Sequence, residues 1–175
     1  MARPPSGVRH CVENSTAEGG RATRFGSPSL MPTSDDNWTW QCDETLPNDT
    51  AVGRELLDVL LHQLEALHWT RHDIFGVHLA VDEALVNAIL HGNGLDQSKH
   101  VRFCCRLSPQ KVRVEITDEG PGFDPESLPD PTDACHLSRP GGRGVLLMRA
   151  FMGHVEFCGR GNHVVLQKER EPREG

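Results

Sequence analysis

The stretch RHDIFGVHLAVDEALVNAILH, residues 71–91, constrains the fold more than any other part of the chain. Read as a helix at about 100° per residue, it projects Leu79, Val86 and Leu90 to one side and Ala80 and Ala84 to another. Val81, Leu85, Ala88 and Ile89 cover much of the remaining circumference. A helix that is apolar nearly all round has to be covered on several sides, so it belongs at the centre of a domain. Glu83 and Asn87 nevertheless sit within it, four residues apart and one turn above the other. A buried carboxylate is costly unless it is paired or contacts a cation or bonded water. The plain reading is a solvated polar pair. The functional reading is that Asn87 offers its amide oxygen to Mg²⁺ while Glu83 orients or deprotonates an attacking hydroxyl or water.

The rest of the chain supplies the cover. Trp38 to Leu46 reads as a strand, with Pro47, Asn48 and Asp49 as a turn and helix cap. Val52, Leu56, Leu57, Leu60, Leu61, Leu64 and Leu67 then recur at three- and four-residue spacing, which predicts an amphipathic helix over 50–67. The central helix stops at Gly92-Asn93-Gly94. Val101 to Leu107 and Val112 to Thr117 alternate and are joined by Ser108-Pro109-Gln110, a hairpin. Residues 118–142 are rich in Gly and Pro without periodicity, and so long a loop in a compact domain is usually functional or disordered. A helix over 145–152 and strands over 154–158 and 163–167 close the domain. The predicted order is β, α, α, β, β, lid, α, β, β.

At 175 residues the chain suits one domain, expected over residues 37–168. Residues 1–36 mix Gly, Pro, Ser and Arg with few large apolar side chains and read as a disordered tail; Met31 is an alternative start of translation. Residues 169–175 read as a charged tail that frays. Twenty-five acidic side chains against 18 Lys and Arg, a formal charge of -7, argue against nucleic acid or an anionic membrane as direct partner. No stretch is read as a bilayer span or secretory signal, so a cytoplasmic protein with reduced cysteines is expected. His68 and His72 have the spacing of two ligands on one helix face, but zinc lacks a third ligand of suitable spacing.

Two further segments carry chemistry. TDEGPGFDP sets Asp118 at the end of an apolar strand, where it would suit the exocyclic amine of adenine, with Gly120 and Gly122 allowing close backbone approach. Alone it is an ordinary turn. RPGGRGVLLMRAFM places a Gly-rich loop directly before an apolar helix, where free N–H groups and the helix dipole favour phosphate. It is neither the GxxxxGK[ST] loop nor the GxGxxG fingerprint, and alone reads as a linker.

Together, in this order and spacing, AVDEALVNAILHGNG resembles the N box, TDEGPGFDP the G1 box and GGRGVLLM the G2 box of the GHKL ATPase superfamily, which includes histidine kinases and gyrase. The compact size and the EALVNAILHGN and GRGVLLMRAFM forms are most similar to bacterial anti-sigma factor serine/threonine kinases. The resemblance implies a Bergerat fold, a two-layer α/β (α+β) sandwich with a mixed, largely antiparallel sheet, helices on one face and an ATP lid. It implies ATP and Mg²⁺ as cofactors, Glu83 as general base, Asn87 as metal ligand and Asp118 as adenine contact. Gly120 and Gly122 become close-approach glycines, and Gly141, Gly142, Arg143 and Gly144 meet the phosphates. Arg139 is a further γ-phosphate contact, beside the plainer reading of a solvated loop arginine.

The implied function is phosphorylation of an anti-anti-sigma (STAS-type) partner and control of a sigma factor by partner switching, with room for a homodimer. One alternative is an ATP-binding sequestering module with little transfer activity. Another is a detached histidine-kinase ATPase domain, but His72 lies too close to Glu83 for a separate phosphoacceptor hairpin.

Overall fold

The computed structural model describes residues 37–122 and 143–171, with the side chain of Arg143 left aside. The lid, Arg139, Gly141, Gly142 and the N-terminal segment lie outside the described residues.

Strand β1 (Trp40–Pro47) leads into α1 (Thr50–Ala66), whose N-cap Asp49 accepts a hydrogen bond from the Ala51 N–H at 2.8 Å. Helix α2 (Arg71–Val86) is capped by Thr70, which accepts from the Asp73 N–H at 3.0 Å. It continues as a π-helical segment over Asn87–Gly92. The predicted helix to His91 is therefore present, with a change of winding at Asn87. The Asn93 N–H reaches back five residues to the Ala88 carbonyl at 2.8 Å, and such wide turns recur at functional sites.

Strands β2 (His100–Leu107) and β3 (Lys111–Asp118) form the predicted hairpin, closed where the Ser108 N–H donates to the Lys111 carbonyl. Helix α3 (Arg143–Phe151), β4 (His154–Cys158) and β5 (His163–Glu169) complete the order. The sheet runs β1-β2-β3-β5-β4, and all four pairings are antiparallel, so the expected mixed character is absent among the described strands. Strand β5 also runs two residues past the predicted end. Beyond it, Arg170 bonds the Pro109 and His68 carbonyls, so the start of the charged tail is tied down.

The three helices lie on one face, with α2 against α1, α3, β3 and β5. Alternate strand residues Val101, Phe103, Cys105, Leu107, Val112, Val114 and Ile116 meet Val77, Ala80, Val81, Ala84 and Leu85 of α2 in one core. Gly76 lets α3 close in, because a Cβ there would press on the Phe151 ring.

The helical stretch Arg71–Gly92, 22 residues, is long and apolar enough to cross a membrane by length and composition, contrary to the reading of the sequence. Its apolarity has a local cause: packing among α1, α3 and the sheet requires apolar side chains on several sides at once.

One buried ion pair fastens the base of this arrangement. Asp73, fully buried, lies 3.2 Å from the Lys168 ammonium, and its other oxygen accepts from the Thr70 hydroxyl at 2.8 Å. Lys168 also donates to the Phe151 carbonyl at 3.2 Å, linking α2, β5 and the end of α3. His72, Asp73 and Glu171 approach one another closely enough to suggest a metal site. The Lys168 ammonium, 3.9 Å from Glu171 as well, already supplies the cation there.

Candidate functional site

Glu83 and Asn87 are half-buried, less enclosed than an all-round apolar helix implies. The start of α3 covers part of this pair: Gly144, itself buried, packs directly on Glu83, and a Cβ there would fall inside the carboxylate. No larger residue fits without displacing Glu83. The Gly-rich motif is thus joined to the helix motif by contact.

The same helix meets the Asp118 turn at its C-terminal end. A Cβ on Gly92 would overlap the Asp118 carboxylate, and one on Gly120 would collide with the Gly92 carbonyl oxygen. Gly122 has φ +78 and lies against the Arg160 carbonyl, so both glycines of the turn are required, one for space and one for conformation as well. Glu83 and Gly92 are nine residues apart, about 13 Å along a helix, which separates the two ends of the site.

Asp118 is buried at 9 % exposure, with Oδ1 accepting from the Gly120 N–H at 2.8 Å. Burial pushes its carboxyl above the usual carboxylate range, against the Gly120 hydrogen bond and the positive charge of Arg160. A carboxylate whose charged form is disfavoured by folding lends stability only at low pH, and that contribution is lost as pH rises through the raised value. Asp118→Asn keeps the acceptor for Gly120. It is expected to melt a few degrees above the parent at neutral pH, with the gap closing in acid, and to bind ATP about tenfold or more weakly. Melting curves across pH and calorimetric titration check both halves; equal melting at pH 7 would show that burial of this charge carries no cost.

Three residues outside the predicted set complete the geometry. Asn93, 2 % exposed, accepts from the Glu119 N–H at 2.8 Å and donates to the His100 carbonyl at 2.9 Å and to Asn48 Oδ1 at 3.2 Å. In the β4–β5 turn, Asn162 donates from Nδ2 to the Asp118 carbonyl at 2.7 Å and accepts from the Asp118 N–H at 3.0 Å through its own carbonyl. Gly92 is the third. In the sequence, Gly92 and Asn93 signal only a helix stop and Asn162 only a turn, because their partners lie 26 and 44 residues away.

Of the predicted residues, Glu83 and Gly144 meet at one end of the site and Asp118, Gly120 and Gly122 gather beside Gly92 at the other, while Asn87 lies on the helix between them and Arg143 opens α3.

An antiparallel sheet covered on one face by helices, with Glu83 and Asp118 set at two places along one buried helix and a glycine-bearing helix start packed on the first of them, has the layout of a nucleotide-binding ATPase domain. Residues 46–168 match the histidine kinase-like ATPase domain family. The chain belongs to that family, and it binds ATP.

Among relatives, it is 30% identical over 122 residues to the serine/threonine-protein kinase BtrW of Bordetella bronchiseptica, covering 62% of this chain and 86% of that one. It is 29% identical over 107 residues to an anti-sigma F factor of Clostridium acetobutylicum, covering 57% of this chain and 73% of the relative. The fold is also that of a crystal structure of the RsbU and RsbW domains of a Mycobacterium tuberculosis protein, with TM-score 0.52 and 16% identity. That likeness takes in 77% of this chain and 34% of the larger one.

Proposed function

We propose that this chain is an ATP-dependent serine/threonine protein kinase of the anti-sigma type. It phosphorylates a STAS-type anti-anti-sigma partner in the cytoplasm and regulates a sigma factor by partner switching. The observation that supports this most is the seating of the Glu83 carboxylate against Gly144, which sets a base beside the helix start that faces phosphate.

In this reading Asp118 accepts from the exocyclic amine of adenine. The opening N–H groups of α3 bind the phosphates, with Gly141, Gly142, Arg143 and Arg139 in supporting roles. Glu83 takes the proton of a serine or threonine hydroxyl as its oxygen bonds to the γ-phosphorus and the bond to the ADP oxygen breaks. The Asn87 amide oxygen, one turn from Glu83, belongs to the hard-oxygen donor class that suits Mg²⁺. When bound, that ion neutralises phosphate charge.

The test is to incubate the purified chain with ATP, Mg²⁺ and STAS-type anti-anti-sigma proteins and to look for phosphoserine or phosphothreonine. Stoichiometric transfer to one of them is expected. Tight ATP binding with no transfer to any would favour the sequestering module instead.

A further inference from the structure

Asp118 recognises a base only if its carboxylate is aimed, yet it stands on a turn that precedes a stretch of sequence rich in Gly and Pro. Two amide side chains hold that turn from opposite sides. Asn93, buried at the end of the helix that carries Glu83 and Asn87, takes the Glu119 N–H, and its own amide is anchored on the His100 carbonyl and Asn48. Asn48 in turn donates to the Asp96 carbonyl at 3.1 Å, so the hub is fastened to the segment before β2. From the β4–β5 turn, the Asn162 side chain donates to the Asp118 carbonyl, while the backbone carbonyl of Asn162 accepts the Asp118 N–H. Between the two grips, the Gly120 N–H turns the carboxylate by holding Oδ1.

We infer that Asn93 and Asn162 are positioning residues for nucleobase choice: they clamp the Asp118 turn and aim its carboxylate at a purine that carries an exocyclic amine. This rests on the reading of Asp118 as the amine acceptor. The side-chain bonds of both asparagines go to protein groups, so each acts through the backbone of residues 118 and 119. Asn93 also ties that turn to the catalytic helix, so the base end and the phosphate end of the site keep a set separation.

Inosine triphosphate, which lacks the amine, separates aiming from mere folding. Calorimetric titration with ATP and with inosine triphosphate is run on the parent, Asn162→Ala and Asn162→Asp, with melting curves for each. The aspartate variant keeps the size of the side chain and replaces the donor with an acceptor, so it carries the test if the alanine variant misfolds. ATP affinity should fall about three- to tenfold while inosine triphosphate affinity stays unchanged, so the preference shrinks by the same factor. A folded variant with the full preference, or parallel losses for both nucleotides, would overturn the inference. A parent protein that binds both equally would instead overturn the Asp118 reading beneath it.

Discussion

On the proposed role of Glu83 as general base, Glu83→Ala is expected to reduce phosphoryl transfer by about 10²- to 10⁴-fold while ATP affinity stays close to that of the parent, because a base acts on the attacking hydroxyl and does not hold the purine. The geometry makes the separation clean. Glu83 lies at the Gly144 end of the site and Asp118 at the Gly92 end, so truncating one leaves the contacts of the other in place. Truncation also opens space beside Gly144 without stranding a buried donor, since Glu83 is half-buried. Single-turnover transfer to the unphosphorylated partner reads the first effect and calorimetry the second. A transfer rate within a few-fold of the parent would remove Glu83 from the mechanism; a matched loss of ATP affinity would make it a binding residue.

The second large effect concerns stability. Lys168→Met removes the ammonium but keeps most of the stem, leaving the fully buried Asp73 with the Thr70 hydroxyl and no opposing charge. Breaking a buried pair from one side costs about 3–5 kcal/mol, because the remaining charge is stranded in a medium that solvates it poorly. In a domain of this size that corresponds to a fall in melting temperature on the order of 10–20 °C. The loss includes the bond from Lys168 to the Phe151 carbonyl, which otherwise closes the end of α3. The double variant Asp73→Asn with Lys168→Met is expected to recover most of the loss, since two neutral groups need no counter-charge. A single variant melting within a degree or two of the parent would show that Asp73 finds another partner.

The two effects lie on different links of the chain from sequence to function. Glu83 was legible because a carboxylate stands out in an otherwise apolar helical repeat, and a local pattern of period 3.6 reveals it. Lys168 and Asp73 were not: one sits in an alternating strand near a charged terminus and the other in a first helical turn, where acidic residues are ordinary. Only the packing of α3 and β5 on α2 brings them together.

The same division runs through the candidate site. The amphipathic period over 50–67, the alternation in β2 and β3 and the three glycine-bearing motifs determined the elements and their order and singled out Glu83, Asn87, Asp118 and Gly144 as candidates, since each depends on neighbours within a turn or a strand. Tertiary structure alone decided the all-antiparallel register, the π winding after Val86, the half-exposure of Glu83 and the clamp formed by Asn93 and Asn162. These depend on hydrogen bonds and close approaches between residues tens of positions apart. Gly92 shows the difference most plainly: in the sequence it ends a helix, and in the fold its missing side chain is the space that the Asp118 carboxylate occupies.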